Sequence, residues 1–355
     1  MDILVIGAGV VGSQYAARLR QAGHMVSLLA RGQRAAELRQ HGIVLEAVNT
    51  GQVETVHVMV TEHLDAEERY EWVIVALRSN QLESLLPALA AHPGTPNILF
   101  IGNNPAGAAK YVQVLGRERV ALGFGSVGGL RRDGVVRYYR RPGAVYGRTY
   151  LGELDGRMTP RLAALSRALA EARLPAVAVS DMDAWLKTHA ALISPLALAI
   201  YAAGGDNYRL ARTPDGLLLA LRAVREGLAV LRDLNVPVLP PALGAVSWLP
   251  EPLLLLYLRG LMNTRAGEIG LAGHANAARD EMRQVADDFY TLVRAAGRPA
   301  PALDQLRAYL DPQREPLAPG SASLPVDMRA VWAGLLGLGL FVLAGLLGSR
   351  THRRG

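Results

Sequence analysis

The chain is 355 residues long, half of it hydrophobic, with no cysteine and a formal net charge of +7. At ~100 to 200 residues per domain this predicts two domains with ordinary cores, and it excludes a disordered chain or a small disulfide-stapled scaffold. Thiolate catalysis and cysteine-based zinc sites are excluded too, and no metal site is expected. Few aromatics and no basic helix stripe turn the positive charge away from nucleic acid, toward an anionic lipid or a phosphorylated ligand.

The chain opens as strand, glycine turn, helix, strand: Ile3 to Ile6, then Gly7-Ala8-Gly9-Val10-Val11-Gly12, a helix through Leu19, and Met25 to Leu29. Neither a basic segment nor a cleavage site precedes Ile3, so no signal peptide is expected and the first domain should fold in the cytoplasm. Apolar runs at Val73 to Leu77 and Ile98 to Ile101, separated by a helical stretch around Leu82 to Ala91, continue an alternation that builds a parallel sheet covered on both faces. From Val120 to Gly152 the pattern becomes glycine-punctuated and β-branched, which predicts antiparallel strands closing that sheet. After Asp181 the strand signals nearly vanish. The fold class expected is therefore α/β: a Rossmann-type dinucleotide-binding domain over residues 1–180 and an all-α domain over 181–310. A Pro/Ser/Gly linker is expected at 311–329. Ala330 to Ser349 carry no charge, and 20 helical residues rise ~30 Å, so a single C-terminal transmembrane helix is expected. With the short basic tail translocated, this predicts a membrane-anchored protein with its folded domains in the cytoplasm.

The Gly-x-Gly-x-x-Gly turn follows a strand, opens a helix and is followed by a second strand, which is the context that gives the pattern meaning. The first glycine makes the tight turn, the second admits a pyrophosphate, and the third lets the helix pack closely, with the anion at the helix N-terminus. At the end of the second strand an acid would select NAD by binding its ribose hydroxyl. This chain instead has Arg31-Gly32-Gln33-Arg34, and a guanidinium suits a 2′-phosphate, so NADP(H) is the expected cofactor. Asn103 lies at a strand's C-terminal end, where such folds bind ligands, and is a candidate for positioning nicotinamide and substrate.

Of the 38 basic residues only Lys110 and Lys187 are lysine. Arginine replaces lysine as a surface charge but cannot give up a proton near neutral pH, so a retained lysine invites a reason. Lys187 lies in an almost wholly apolar helix, Trp185 to Ile200, and an unpaired buried ammonium has a lowered pKa that suits a proton donor. In ketone reduction it would stabilise the charge growing on the carbonyl oxygen and then protonate it. His189, two residues on, is rotated about 200° away and reads as a hydrogen-bonded core histidine.

These pieces together resemble the ketopantoate reductase (2-dehydropantoate 2-reductase) family over roughly residues 1 to 310. The matching segments are ILVIGAGVVG, Arg31, VALRSNQ, FIGNN, YLGELDG, AWLKTHAALISPL and RDEM, in that order. The resemblance implies cofactor contacts from Gly7, Ala8, Gly9, Val10, Val11, Gly12, Arg31, Arg78 and Asn103. It also implies Lys187 as general acid and Glu281 as the carboxylate that orients the lysine and accepts a substrate hydroxyl. Where the family carries substrate-holding asparagines one and two turns after the lysine, this chain has Ala191 and Pro195, with Ser194 nearby. The function this implies is NADPH-dependent reduction of a 2-oxo acid or related carbonyl compound. The alternative is a membrane-attached NADP(H)-binding sensor or scaffold without turnover. The partners expected are a small carbonyl substrate and a membrane; a homodimer is left open.

Overall fold

In the computed structural model, residues 1–65, 67–139 and 147–329 are described. The segment expected to span a membrane, 330–349, lies outside the described residues. Among the described residues no single helix is long and apolar enough to cross a membrane.

The N-terminal domain is built on an eight-stranded sheet of order β12-β11-β8-β7-β6-β1-β2-β5. Its strands are β1 (Asp2–Ile6), β2 (Met25–Leu29), β5 (Met59–Thr61), β6 (Trp72–Val75), β7 (Ile98–Ile101), β8 (Val120–Gly125), β11 (Thr149–Glu153) and β12 (Ala176–Ala178). The pairings from β5 through β8 are parallel, and the continuous apolar runs of β1, β6 and β7 are buried because helices cover both faces. Those helices are α1 (Val10–Gln21), α2 (Gly32–His41), α3 (Ser79–Leu82), α4 (Leu86–Ala90), α5 (Ala109–Leu115) and α6 (Pro160–Glu171).

Only part of Val120 to Gly152 closes this sheet as expected: β11 pairs antiparallel with β8. The strands β9 (Leu130–Arg132) and β10 (Val135–Tyr138) go instead to a separate four-stranded sheet, of order β4-β3-β10-β9. Its other members, β3 (Ile43–Ala47) and β4 (Gln52–Val56), were not foreseen in the sequence; β3 pairs antiparallel with β4 and parallel with β10. Half-exposed alternation gives each strand too little apolar signal alone, and the partner of β3 lies some 90 residues away.

The helical domain comprises α7 (Met182–Ala202), α8 (Asn207–Ala211), α9 (Pro214–Asp233), α10 (Glu251–Met262), α11 (Arg265–Gly267), α12 (Gly273–Ala277), α13 (Arg279–Ala296) and α14 (Pro301–Arg307). The Asp181 side chain caps α7 by accepting from the Ala184 N–H at 2.9 Å. Helix α7 serves both domains. Its first turns bury Met182, Trp185 and Leu186 in the core under one face of the large sheet, and its remainder, from Ala190, is the centre of the helical core. A side chain between those two stretches is held at the junction of the domains, and Lys187 is that side chain.

The stretch expected to be a free linker is in fact bound. Leu317 donates its N–H to Ala202, Asp215 accepts from the N–H groups of Ser323 and Leu324, and the Asp327 N–H donates to Glu251 at 2.8 Å. Small and proline residues lie flat here because buried carboxylates at the starts of α9 and α10 take up their backbone donors.

Candidate active site

The glycines of the first turn have three different reasons to be glycine. Gly7 has φ +107, and a Cβ on it would stand 2.6 Å from the Ala76 carbonyl. A Cβ on Gly12 would fall 1.8 Å from the Gly7 carbonyl oxygen. Gly9 is different: a Cβ there would meet nothing within 4 Å, so its backbone faces open space. Helix α1 begins at that point with no side-chain cap and no acid in its first turn, which leaves backbone N–H groups directed outward. This cradle fits a pyrophosphate.

Arg31 stands exposed as the N-cap of α2, and its side chain makes no hydrogen bond or ion pair among the described residues. A carboxylate that the sequence did not draw attention to stands close by. Glu62, just after β5, accepts from the Gly32 N–H at 3.3 Å and from Arg39 at 2.7 Å. Arg34 is turned away, donating to the Gly134 carbonyl at 3.1 Å and paired with Glu37.

Two residues matched to the family from opposite ends of the chain come together. Asn103, beyond β7, donates Nδ2–H to Glu281 of α13 at 2.8 Å, and Glu281 is nearly buried. The Asn103 Oδ1 is buried without a hydrogen-bond partner, an acceptor left for a ligand donor beside a small cavity lined by Val75, Leu77, Gly102 and Asn104. Arg78, expected to touch cofactor, makes its bonds to the helical domain. Its guanidinium donates to Asp280 at 2.7 Å and to the Ala277 carbonyl at 3.0 Å, and approaches Glu281 at 3.8 Å. It ties the Rossmann-type domain to the start of α13.

Lys187 is not the unpaired buried ammonium that its apolar helix suggested. Its side chain is 16% exposed and is ion-paired with Asp183, one turn earlier. An acid at i−4 was readable in the sequence as a partner for Lys187. Asp183 also packs on the loop after β7: a Cβ on Gly107 would lie 2.9 Å from its Oδ1, and the Gly107 carbonyl accepts from Asn104 at 2.9 Å. The loop 102–107 is thus touched at one end by Glu281 and at the other by Asp183, the partner of Lys187, although no direct Lys187–Glu281 contact is seen.

His189 points to the other side of α7, as the helical rotation predicts, but rings hold it in place of the expected hydrogen bond. It stacks on Trp185 at 5.3 Å and lies 4.2 Å from Phe124. Removal from water, then the nearby His274, hold its pKa down at about 4. A base held below its ordinary 6.5 contributes stability that is complete above that value and is lost as pH falls through about 4. Acid unfolding followed by circular dichroism is expected to show His189→Phe losing less stability than the wild type over that interval. Equal losses would remove His189 as the cause. Ala191 packs in the helical core against the Gly227 backbone, and Pro195 is buried, so neither offers a polar group to a ligand.

The architecture is two-domain: a Rossmann-type sheet that carries the glycine cradle, and a helical domain that carries Lys187 and Glu281. Residues 3–156 match the family model described as ketopantoate reductase PanE/ApbA. A 2-dehydropantoate 2-reductase of Listeria monocytogenes is 29% identical over 158 residues, 44% of this chain and 52% of that protein. One of Listeria innocua is 25% identical over 234 residues, 65% of this chain and 75% of that protein. The chain therefore spans about half the length of the first of these curated relatives and three quarters of the second. Among solved structures, a 2-dehydropantoate 2-reductase of Geobacter metallireducens superposes with TM-score 0.72 at 18% identity, covering 88% of this chain and 99% of that one. A D-mandelate dehydrogenase, in ternary complex with NADH and anilino(oxo)acetate, superposes with TM-score 0.70 at 17% identity, covering 87% and 97%. At these identities the structures show the fold. The sequence matches show what the chain is similar to: ketopantoate reductases, over its N-terminal part in the family model and over up to 65% of its length in the curated relatives.

Proposed function

We propose that the protein is an NADPH-dependent reductase of a 2-oxo acid or closely related carbonyl compound, 2-dehydropantoate to pantoate being the nearest reaction among its relatives. The observation that carries this reading is the loop after β7, which bears Asn103 bonded to Glu281 and packs on the ion-paired partner of Lys187. The nicotinamide, when bound, supplies the hydride. The Gly7 to Gly12 cradle holds the pyrophosphate, and the free Oδ1 of Asn103 accepts from the carboxamide or from substrate. Lys187, released from Asp183, donates its Nζ proton to the carbonyl oxygen as negative charge develops there. Glu281 accepts a substrate hydroxyl. Purified protein assayed by loss of nicotinamide absorbance against a panel of 2-oxo acids tests the reading, and no turnover on any of them would overturn it. Binding without turnover is the second reading, favoured by the apolar Ala191 and Pro195.

NADPH is expected to bind at least ~10-fold more tightly than NADH, a difference of ~1.4 kcal/mol that one charge-assisted pair with Arg31 can supply. The Glu62 carboxylate at the Gly32 N–H favours the opposite outcome, NADH, because it could accept a ribose hydroxyl and would repel a phosphate. Fluorescence titration decides between them: equal affinities, or an unchanged preference in Arg31→Ala, would refute the role of Arg31.

Membrane anchoring through residues 330–349, with the folded domains in the cytoplasm, belongs to the same proposal. Release of the full-length protein by alkaline carbonate washing of membranes would refute it.

A further inference from the structure

Helix α10 carries an apolar stripe that no other element packs on among the described residues. Leu253, Leu256 and Tyr257 recur at helical spacing on one side, with Gly260 continuing the row, and Trp248 precedes the helix. These four large side chains are between 58% and 70% exposed. The 3-10 helix Pro241–Ser247 and α10 are together as apolar as a membrane span, and they meet at 118°. Exposed Arg259 adjoins the stripe. Trp and Tyr beside leucines with a flanking arginine is the composition of a membrane-interface helix.

What covers the stripe is indicated by the path of the chain. The Pro325 carbonyl accepts from Arg222 at 2.6 Å, and the Asp327 N–H donates to Glu251, the first residue of α10. The uncharged stretch Ala330 to Ser349 starts three residues later, within ~10 Å of that point. Apolar at nearly every position, that stretch has no polar side to turn to water, and α10, ~18 Å long, presents too little surface to cover it. A bilayer has the area to take both.

We propose that the face of α10 bearing Leu253, Leu256 and Tyr257, with Trp248, is a second membrane contact that rests flat in the lipid interface beside the anchoring segment and fixes how the catalytic cleft faces the membrane. It rests on the anchoring proposed above and goes beyond it by naming a surface of the folded domain.

The absence of cysteine makes a direct test available, since a single introduced thiol is the only one in the chain. Full-length Leu256→Cys and, as an exposed control on β4, Gln52→Cys are labelled with nitrobenzoxadiazole. Both are then reconstituted with phosphatidylcholine and phosphatidylglycerol vesicles containing doxyl-labelled lipid. The expected result is flotation of both proteins, with quenching at least ~3-fold greater at position 256 than at 52. Protein that floats with equal quenching at the two positions overturns the α10 contact alone. Failure to float overturns the anchoring and the α10 contact together. A shielded but unquenched label at 256, the same with and without vesicles, means that the chain's own apolar segment or a second copy covers the stripe, and that also overturns the proposal.

Discussion

Lys187→Arg is expected to lose ~10² to 10⁴ in kcat while NADPH affinity stays largely intact. The arginine keeps the positive charge, and its longer fork can still reach Asp183, so the ion pair that holds the side chain at the domain junction survives. The transferable proton does not survive, because guanidinium stays protonated throughout the accessible pH range. Steady-state kinetics on the most active 2-oxo acid, with NADPH titration as the control, separate the two effects. A variant retaining more than about a tenth of the wild-type kcat would place Lys187 among structural residues, since proton-transfer groups contribute far more than that.

The second large effect is at Gly12. A methyl group there would stand 1.8 Å from the Gly7 carbonyl oxygen, which is backbone and cannot swing aside, so Gly12→Ala must displace the loop from α1. The expected result is a loss of stability of ~1 to 3 kcal/mol, typical of forced overpacking, together with loss of measurable NADPH binding. Gly9→Ala provides the contrast. With nothing within 4 Å of the added methyl, its thermal stability should match the wild type, while its NADPH affinity falls because the methyl occupies the pyrophosphate approach. Gly12→Ala binding NADPH normally would refute the close-packing role of the third glycine. Gly9→Ala binding normally would show that the cofactor does not run across this turn.

Much of this protein was legible where the signal is local. The turn from Gly7 to Gly12 could be read because strand, turn and helix are consecutive, and each glycine's role is played within a few residues or against the neighbouring strand. The apolar runs of β1, β6 and β7 were legible because strands buried on both faces need no alternation. Lys187 was singled out in the sequence as unusual, but the reason given for it was incomplete. Reading the helix only for apolarity passed over Asp183, whose carboxylate is one turn away.

By itself, the sequence determined the class of fold, the glycine turn between β1 and α1 and the retention of one lysine in a helix otherwise poor in charge. These are properties of short windows, where backbone preference and side-chain period act directly. Tertiary structure alone decided that β3 pairs with β10, that Arg78 ties two domains together and that Asn103 meets Glu281 across 178 positions of sequence. It also decided that a proline-rich stretch lies bound to Asp215 and Glu251. Each of these partners is chosen by which surfaces remain to be buried and which donors remain to be satisfied once the elements have packed, and no short window of sequence carries that information.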